Sequence, residues 1–378
     1  MDYNATTPLD PRVNQAMEPY LAEHFGNASS SSHPFGWRAQ MGVEKARAQV
    51  AKLLNAKPSE VLFTSGATES NNLAIIGSLL HMMRQPKESG GRPPHFITSN
   101  YEHKAVLEVF ERLRLFGAQT TILNVSEEGL VDPKDLKKAL RPETHLVSIM
   151  GANNEVGSIN PIEELAQLCL DREVLFHTDC AQLIGRQNID FSHPALSMLS
   201  LSGHKIYGPR GVGALVIKEK AQKKISPVIV GGEQEKGLRP GTLNVPGIVG
   251  LGEACEIMME SMDAEIQRLK SFQNQFFRWA KNNEKDVAIN GSENSRLCNN
   301  ISFSFKTLPS DRLRNALKTV AFSSGSACTS ASAKPSHVLM ALGRSEKMAQ
   351  QTLRLGLGRL TTEEDVNQVL QQLQNALG

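Results

Sequence analysis

Leu146-Val147-Ser148-Ile149-Met150, then Ile162 to Leu170, then Val174-Leu175-Phe176-His177 read as apolar run, amphipathic helix and apolar run. That succession decides the fold. Short apolar runs bounded by polar residues suit strands buried on both faces, and the segment between them carries the helical period. Two strands joined through a helix run parallel. Toward the N-terminus the unit recurs: Val61-Leu62-Phe63 precedes a helical Ala67 to Leu80, and His95-Phe96-Ile97-Thr98 precedes a helical Ala105 to Leu115. The expectation is an α/β chain with a mostly parallel sheet flanked by helices on both faces.

Toward the C-terminus the pattern changes. Val249 to Asn282 is one long helical connector, Ile301 to Phe305 alternates like a half-buried strand, and amphipathic helices recur at Leu313 to Leu317 and Asp365 to Leu377. A large α/β domain over 13–255 is therefore expected, with a smaller α+β domain formed by 256–378 and by 1–12 packing beside it. Gln85 to Pro94 (QPKESGGRPP) reads as an exposed loop.

The chain has 378 residues, 40% hydrophobic and 21% charged, with a formal net charge of +2. That length suffices for a large core, and the near-neutral, scattered charge points to neither nucleic acid nor membrane as a partner. Five cysteines (Cys169, Cys180, Cys255, Cys298, Cys328) are widely spaced, without a C-x-x-C pair. This argues against a disulfide scaffold and a zinc site, and for a reducing compartment. No signal peptide and no bilayer-length apolar stretch is evident, so a cytoplasmic setting is expected.

Ser202-Gly203-His204-Lys205 follows the apolar run Leu196 to Leu201, with Gly208, Gly211 and Gly213 beyond it. A lysine so placed can reach into a cleft, where burial lowers its pKa and suits it to Schiff-base chemistry; a surface lysine in a glycine-rich turn has the same local look. Asp179 ends the Val174 to Thr178 run. Open parallel sheets bind ligands at the carboxyl ends of their strands, and an aspartate there can pair with a protonated ring nitrogen, or simply cap a helix. Gln182 is close enough in sequence to assist, or to sit on the surface. Thr64-Ser65-Gly66-Ala67-Thr68-Glu69-Ser70 offers small residues between strand and helix, where backbone N–H groups at Ala67 and Thr68 can cradle a phosphate. It is not a Walker loop, and a plain capped helix reads alike.

Six segments in order resemble the NifS/IscS-type cysteine desulfurases of the class V, fold type I pyridoxal-phosphate (PLP) aminotransferases. They are Asp2 to Pro8 (DYNATTP), Thr64 to Asn71 (TSGATESN), Glu102-His103-Lys104, Asn153-Asn154-Glu155, Ser202 to Gly208 (SGHKIYG) and Ser323 to Ser330 (SSGSACTS). The resemblance implies that Lys205 binds the cofactor aldehyde and moves the Cα proton, Asp179 pairs with the pyridine nitrogen, and Gln182 bonds the phenolic oxygen. His103 would stack on the ring and act as acid–base. Thr68, Ser202 and His204, with the Ala67 backbone, would hold the phosphate. Thr242, in Arg239-Pro240-Gly241-Thr242, would reach across from the second subunit of a homodimer. Asn154, beside the cofactor, and Arg354 would hold the carboxylate of L-cysteine.

Sulfur on Cβ needs a nucleophile, and a thiolate is the natural one. Cys328 sits in Phe322 to Ala333 (FSSGSACTSASA), a small polar run with little to anchor it in a core. Such composition suits a thiol that visits the cofactor, takes sulfur as a persulfide and presents it to an acceptor protein, such as an iron–sulfur scaffold or sulfur carrier. Its context resembles the family's long-loop group. No resident metal is implied, though Cys328 could transiently contact an iron–sulfur cluster. Two departures stand out: Cys180 follows Asp179 where the family has a small non-thiol residue, read as a buried core substitution, and the Gln85 to Pro94 loop is longer than its counterpart. Selenocysteine lyase, aminotransferase and a non-catalytic sulfur-delivery subunit are the competing readings.

Overall fold

A computed structural model of the chain describes residues 1–85, 92–323 and 335–378. Seven strands form the main sheet: β1 (Val61–Thr64), β2 (His95–Ser99), β3 (Gln119–Leu123), β4 (Thr144–Ser148), β5 (Leu175–Asp179), β6 (Met198–Ser202) and β7 (Gly213–Ile217). Their spatial order is β1-β7-β6-β5-β4-β2-β3, and only β7 runs against its neighbours. The sheet is mostly parallel, as the alternating pattern predicts.

Strand alternation explains how one sheet serves two cores. Phe63, Ile97, Val147, Phe176 and Leu199 enter a cluster with Val43, Leu165 and Leu251 from helices on one face. Their neighbours Leu62, Phe96, Leu146, Leu175 and Met198 enter another with Leu73, Ile75, Val106 and Phe110 from helices on the other face. Both faces are thus covered, which is why these strands read as continuous apolar runs.

A second sheet pairs β8 (Val287–Ile289), β9 (Asn300–Phe305) and β10 (Thr352–Gly356) in the order β10-β9-β8, all antiparallel. The 38-residue helix Val245–Asn282 serves both sheets. Ile248, Leu251, Met258 and Met262 pack in the first core; Leu269, Phe272 and Phe276 pack with Phe303 and Leu355 in the second. Between those halves sits Glu265, which bonds Arg186 Nη1 through Oε1 at 3.0 Å and Arg359 Nε through Oε2 at 3.0 Å. Residues 1–3 run parallel to the end of β10, with the Gly356 N–H donating to Met1 O and the Tyr3 N–H to Gly356 O. Among the described residues no helix is long and apolar enough to cross a membrane.

Two buried histidines tie strands together. His95 bridges Thr144 Oγ1 and Thr121 Oγ1, each at 2.8 Å, and His177 bridges Ser148 and Ser200. Burial is the main cause that pushes the His95 pKa down to about 4 and lowers that of His177. These rings stay neutral in the fold while an unfolded imidazole titrates near 6.5, so the unfolded chain binds more protons below that pH. Their contribution to stability is present above pH 6.5 and is lost as pH falls toward 4. Urea unfolding across this window will show a declining midpoint, on the order of 2 kcal/mol from His95, and His95→Asn will flatten that slope. An unchanged slope in the variant would exclude His95 as its source.

Candidate functional site

The carboxyl ends of β1, β2, β4, β5 and β6 open into one cavity of about 530 Å3. Of the residues singled out in the sequence, Ala67, Thr68, His103, Asn154, Asp179, Gln182, Ser202, His204, Lys205 and Arg354 all line it. Thr242 is not among the lining residues. Cys328 lies outside the described residues, as does 86–91 of the loop read over Gln85 to Pro94.

Strand order explains the convergence. Asp179 ends β5, and the adjacent β6 ends at Ser202, from which a single 3-10 turn, Gly203–Lys205, carries the lysine into the cavity. Lys205 Nζ donates to the backbone carbonyls of Asn4 at 2.6 Å and Ala5 at 2.9 Å. The ammonium is thereby fixed from the N-terminal segment. Asp179 is also held: Asn71 Nδ2 donates to Oδ2 at 2.7 Å and the Ala181 N–H to Oδ1 at 3.0 Å.

At the end of β1, Gly66 takes φ +149° and begins the helix Ala67–Arg84, whose N-terminus has no side-chain cap. A side chain at that φ would be strained, which accounts for glycine. The first-turn N–H groups consequently face the cavity end of the helix without an internal partner, a ready anion site. The Ser202 hydroxyl stands beside it, 3.4 Å from where a Gly66 Cβ would lie. His204 bonds Thr6 Oγ1 through Nδ1 at 3.1 Å; burial first, then Lys205 and Arg210, pushes its pKa down to about 4. It is a neutral ring at pH 7.

His103 caps the helix Lys104–Leu115, its Nδ1 accepting the Ala105 N–H at 3.1 Å. A ring nitrogen that accepts is unprotonated, so the neutral ring carries its proton on Nε2. Burial lowers the His103 pKa against the opposing pull of Asp179. Gln182 Nε2 donates to Asn4 O at 2.9 Å. Arg354, on β10, is only 2% exposed and pairs through Nη2 with Asp2 Oδ1 at 3.0 Å. Its Nε is buried with no partner among the described residues, a donor still to be satisfied.

Several residues of this site were not picked out individually from the sequence. Asn4 supplies the carbonyl that receives both Lys205 and Gln182, and Asn71 anchors Asp179. Both lie inside segments that the sequence motifs had marked, but a backbone acceptor and a neutral amide carry no chemical signature of their own. Glu102 is fully buried, accepting Ser99 Oγ at 2.5 Å and the Met150 N–H at 3.0 Å, and burial raises its pKa to about 8. His337 lines the same cavity with Nε2 on the Glu102 carbonyl at 3.0 Å. Cys180 is fully buried, and burial pushes its thiol up to about 12, so it is an inert core residue as its sequence context suggests.

Residues 1–369 match the aminotransferase class-V family model. The mitosomal cysteine desulfurase of Trachipleistophora hominis is 44% identical over 100% of this chain and 85% of its own length. The cysteine desulfurase IscS of Methylobacillus flagellatus is 44% identical over 100% of this chain and 92% of its own. A solved NifS-like protein superposes with a TM-score of 0.89 at 35% identity, covering 100% of this chain and 98% of that one. With its sheet order, its strand-end cavity and these full-length likenesses, the chain belongs to the class V aminotransferase family, among the NifS/IscS-type cysteine desulfurases.

Proposed function

We propose that this protein is a PLP-dependent cysteine desulfurase that converts L-cysteine to L-alanine and takes the sulfur onto Cys328 as a persulfide. The observation that carries the reading is the meeting of Lys205, Asp179 and an uncapped helix N-terminus in one cavity. Those are an amine for an aldehyde, a carboxylate for a pyridinium and N–H donors for a phosphate, so the donor set fits the group. When bound, PLP supplies an electron sink for the substrate's Cα.

The protein's own residues divide the remaining work. Thr68, Ser202, His204 and the Ala67 N–H hold the phosphate, with the partner subunit's Thr242 completing it in a homodimer. The neutral His204 can accept or donate there without adding charge. Gln182, Asn154 and His103, which line the cavity, would hold the ring. Lys205 takes the Cα proton, and His103, with its proton on Nε2, exchanges protons with the substrate thiol at that atom. Arg354 holds the substrate carboxylate, a task that the planar guanidinium fork suits. Cys328 attacks the substrate sulfur: an S–S bond forms, the Cβ–S bond breaks, and its electron pair is protonated to leave the methyl group of alanine. The persulfide then passes to an acceptor protein, an iron–sulfur scaffold or a sulfur carrier, in a cytoplasmic setting. A large unit of 13–255 would carry the cofactor, and a smaller one of 1–12 and 256–378 the Cys328 segment and Arg354.

Supplied with PLP and L-cysteine, the purified protein will form alanine and place sulfane sulfur on Cys328, and Cys328→Ser will reduce both to background. Transamination without sulfane sulfur would instead make it an aminotransferase. Alanine formation undiminished in the serine variant would remove Cys328 from the chemistry.

A further inference from the structure

Arg354 sits in a closed polar ring that none of the roles above requires. Its Nη2 donates both to Asp2 Oδ1 and to Ser323 Oγ, each at 3.0 Å, and the Ser323 hydroxyl donates to Asp2 Oδ2 at 3.0 Å. Its Nη1 donates to the Asn154 carbonyl at 3.3 Å. Asp2 is the one carboxylate within ion-pairing distance of this guanidinium among the described residues. The backbone delivers it there: the parallel bridge of Asp2 to Gly356 sets residues 1–3 against β10, two positions from Arg354. Ser323 is fixed from the other side, its N–H and carbonyl exchanging hydrogen bonds with those of Arg354.

A guanidinium offers its donors as a planar fork, and a carboxylate is gripped best when two parallel N–H groups point at it. Either two-toothed approach to Arg354 uses an Nη2 hydrogen, and Nη2 is already shared between Asp2 and Ser323. The arginine side chain is 2% exposed while Asp2 is 23% exposed. The positive charge is therefore deep, and its compensating anion stands nearer to solvent. An amino-acid carboxylate arriving in the cavity meets a charge that another carboxylate has already balanced.

Building on the assignment of Arg354 to the substrate carboxylate, we propose that Asp2 is the resident counter-anion of Arg354. It is a positioning residue that orients the guanidinium and moderates its grip on amino-acid carboxylates, on the departing alanine as much as on the incoming cysteine. Asn at position 2 keeps an oxygen for Nη2 but removes the charge. A carboxylate ligand then becomes the nearest anion to a buried cation, and it is held more tightly.

The test uses the PLP-loaded protein and L-alanine, with binding followed by the visible cofactor spectrum and by calorimetry. Asp2→Asn will tighten L-alanine by about tenfold, a modest part of what a neighbouring unit charge at low effective dielectric can supply. It will lower the KM for L-cysteine in the same direction. The methyl ester of L-alanine, which lacks the charge, will bind variant and parent alike, and Asp2→Glu will restore the parent's affinity. Unchanged or weakened L-alanine binding in Asp2→Asn overturns the proposal, as does an equal effect on the ester. Should that variant not fold, Asp2→Ser, which also removes the charge while keeping a polar oxygen, carries the test: it will tighten L-alanine, and unchanged affinity there overturns the proposal. Arg354→Ala separates the two layers. If it binds L-alanine as the parent does, the assignment of Arg354 to the carboxylate has failed; if it loses L-alanine while Asp2→Asn does not change it, only the role of Asp2 has.

Discussion

Lys205→Ala will reduce alanine formation from L-cysteine by about 10³-fold or more, since removing a positioned general base alone costs roughly 10²–10⁴-fold. The visible absorbance of the PLP-treated protein will also be lost. The loss will be chemical and not structural. Lys205 Nζ donates to the backbone carbonyls of Asn4 and Ala5 at the cavity wall, and water entering the vacated space can satisfy both. A thermal melt within about 1 kcal/mol of the parent is therefore expected, the net worth of a typical hydrogen bond. Near-parental turnover in the variant would remove Lys205 from the reaction. A collapse in melting temperature would show that the lysine's role is structural as well.

Glu265→Ala is expected to have the largest effect on stability. Glu265 is buried, and its two oxygens serve Arg186, itself buried, and Arg359, which in turn reaches Asp10 Oδ2 at 2.6 Å. Removing one partner from such an arrangement leaves buried positive charge without compensation, at a cost of about 3–5 kcal/mol. Glu265→Gln, which keeps an oxygen but not the charge, will cost less. Urea or thermal unfolding measures both. Equal, small losses in the two variants would show that Glu265 acts through shape alone.

Most of the parallel layer was legible because its strands are buried on both faces. Runs such as Leu146 to Met150 leave little choice of environment, and the helices between them are amphipathic. β3 escaped notice for the opposite reason: Gln119–Leu123 is a sheet-edge strand with exposed and half-buried polar residues, so it has no continuous apolar run. β7 was hidden by its glycines. Gly208, Gly211 and Gly213 read as a turn after Lys205, yet Gly213 opens a fully buried strand, and a Cβ there would lie 2.4 Å from the Leu201 carbonyl. The site was legible wherever a residue has intrinsic chemistry, as with Lys205, Asp179, His103 and Arg354. Residues that act through position were not: Asn4 contributes a carbonyl, Asn71 a neutral amide, and Asp2 a carboxylate whose partner lies at the far end of the chain.

The helix Val245–Asn282 is about 57 Å long at 1.5 Å per residue. As a rod shared by both cores it ties their fates together. Melting either core strips half of the rod's apolar face and leaves a span too exposed to persist alone. The lowest-energy openings are thereby confined to segments that the rod does not brace, and the molecule lacks an inexpensive intermediate in which one layer stands folded while the other has dissolved.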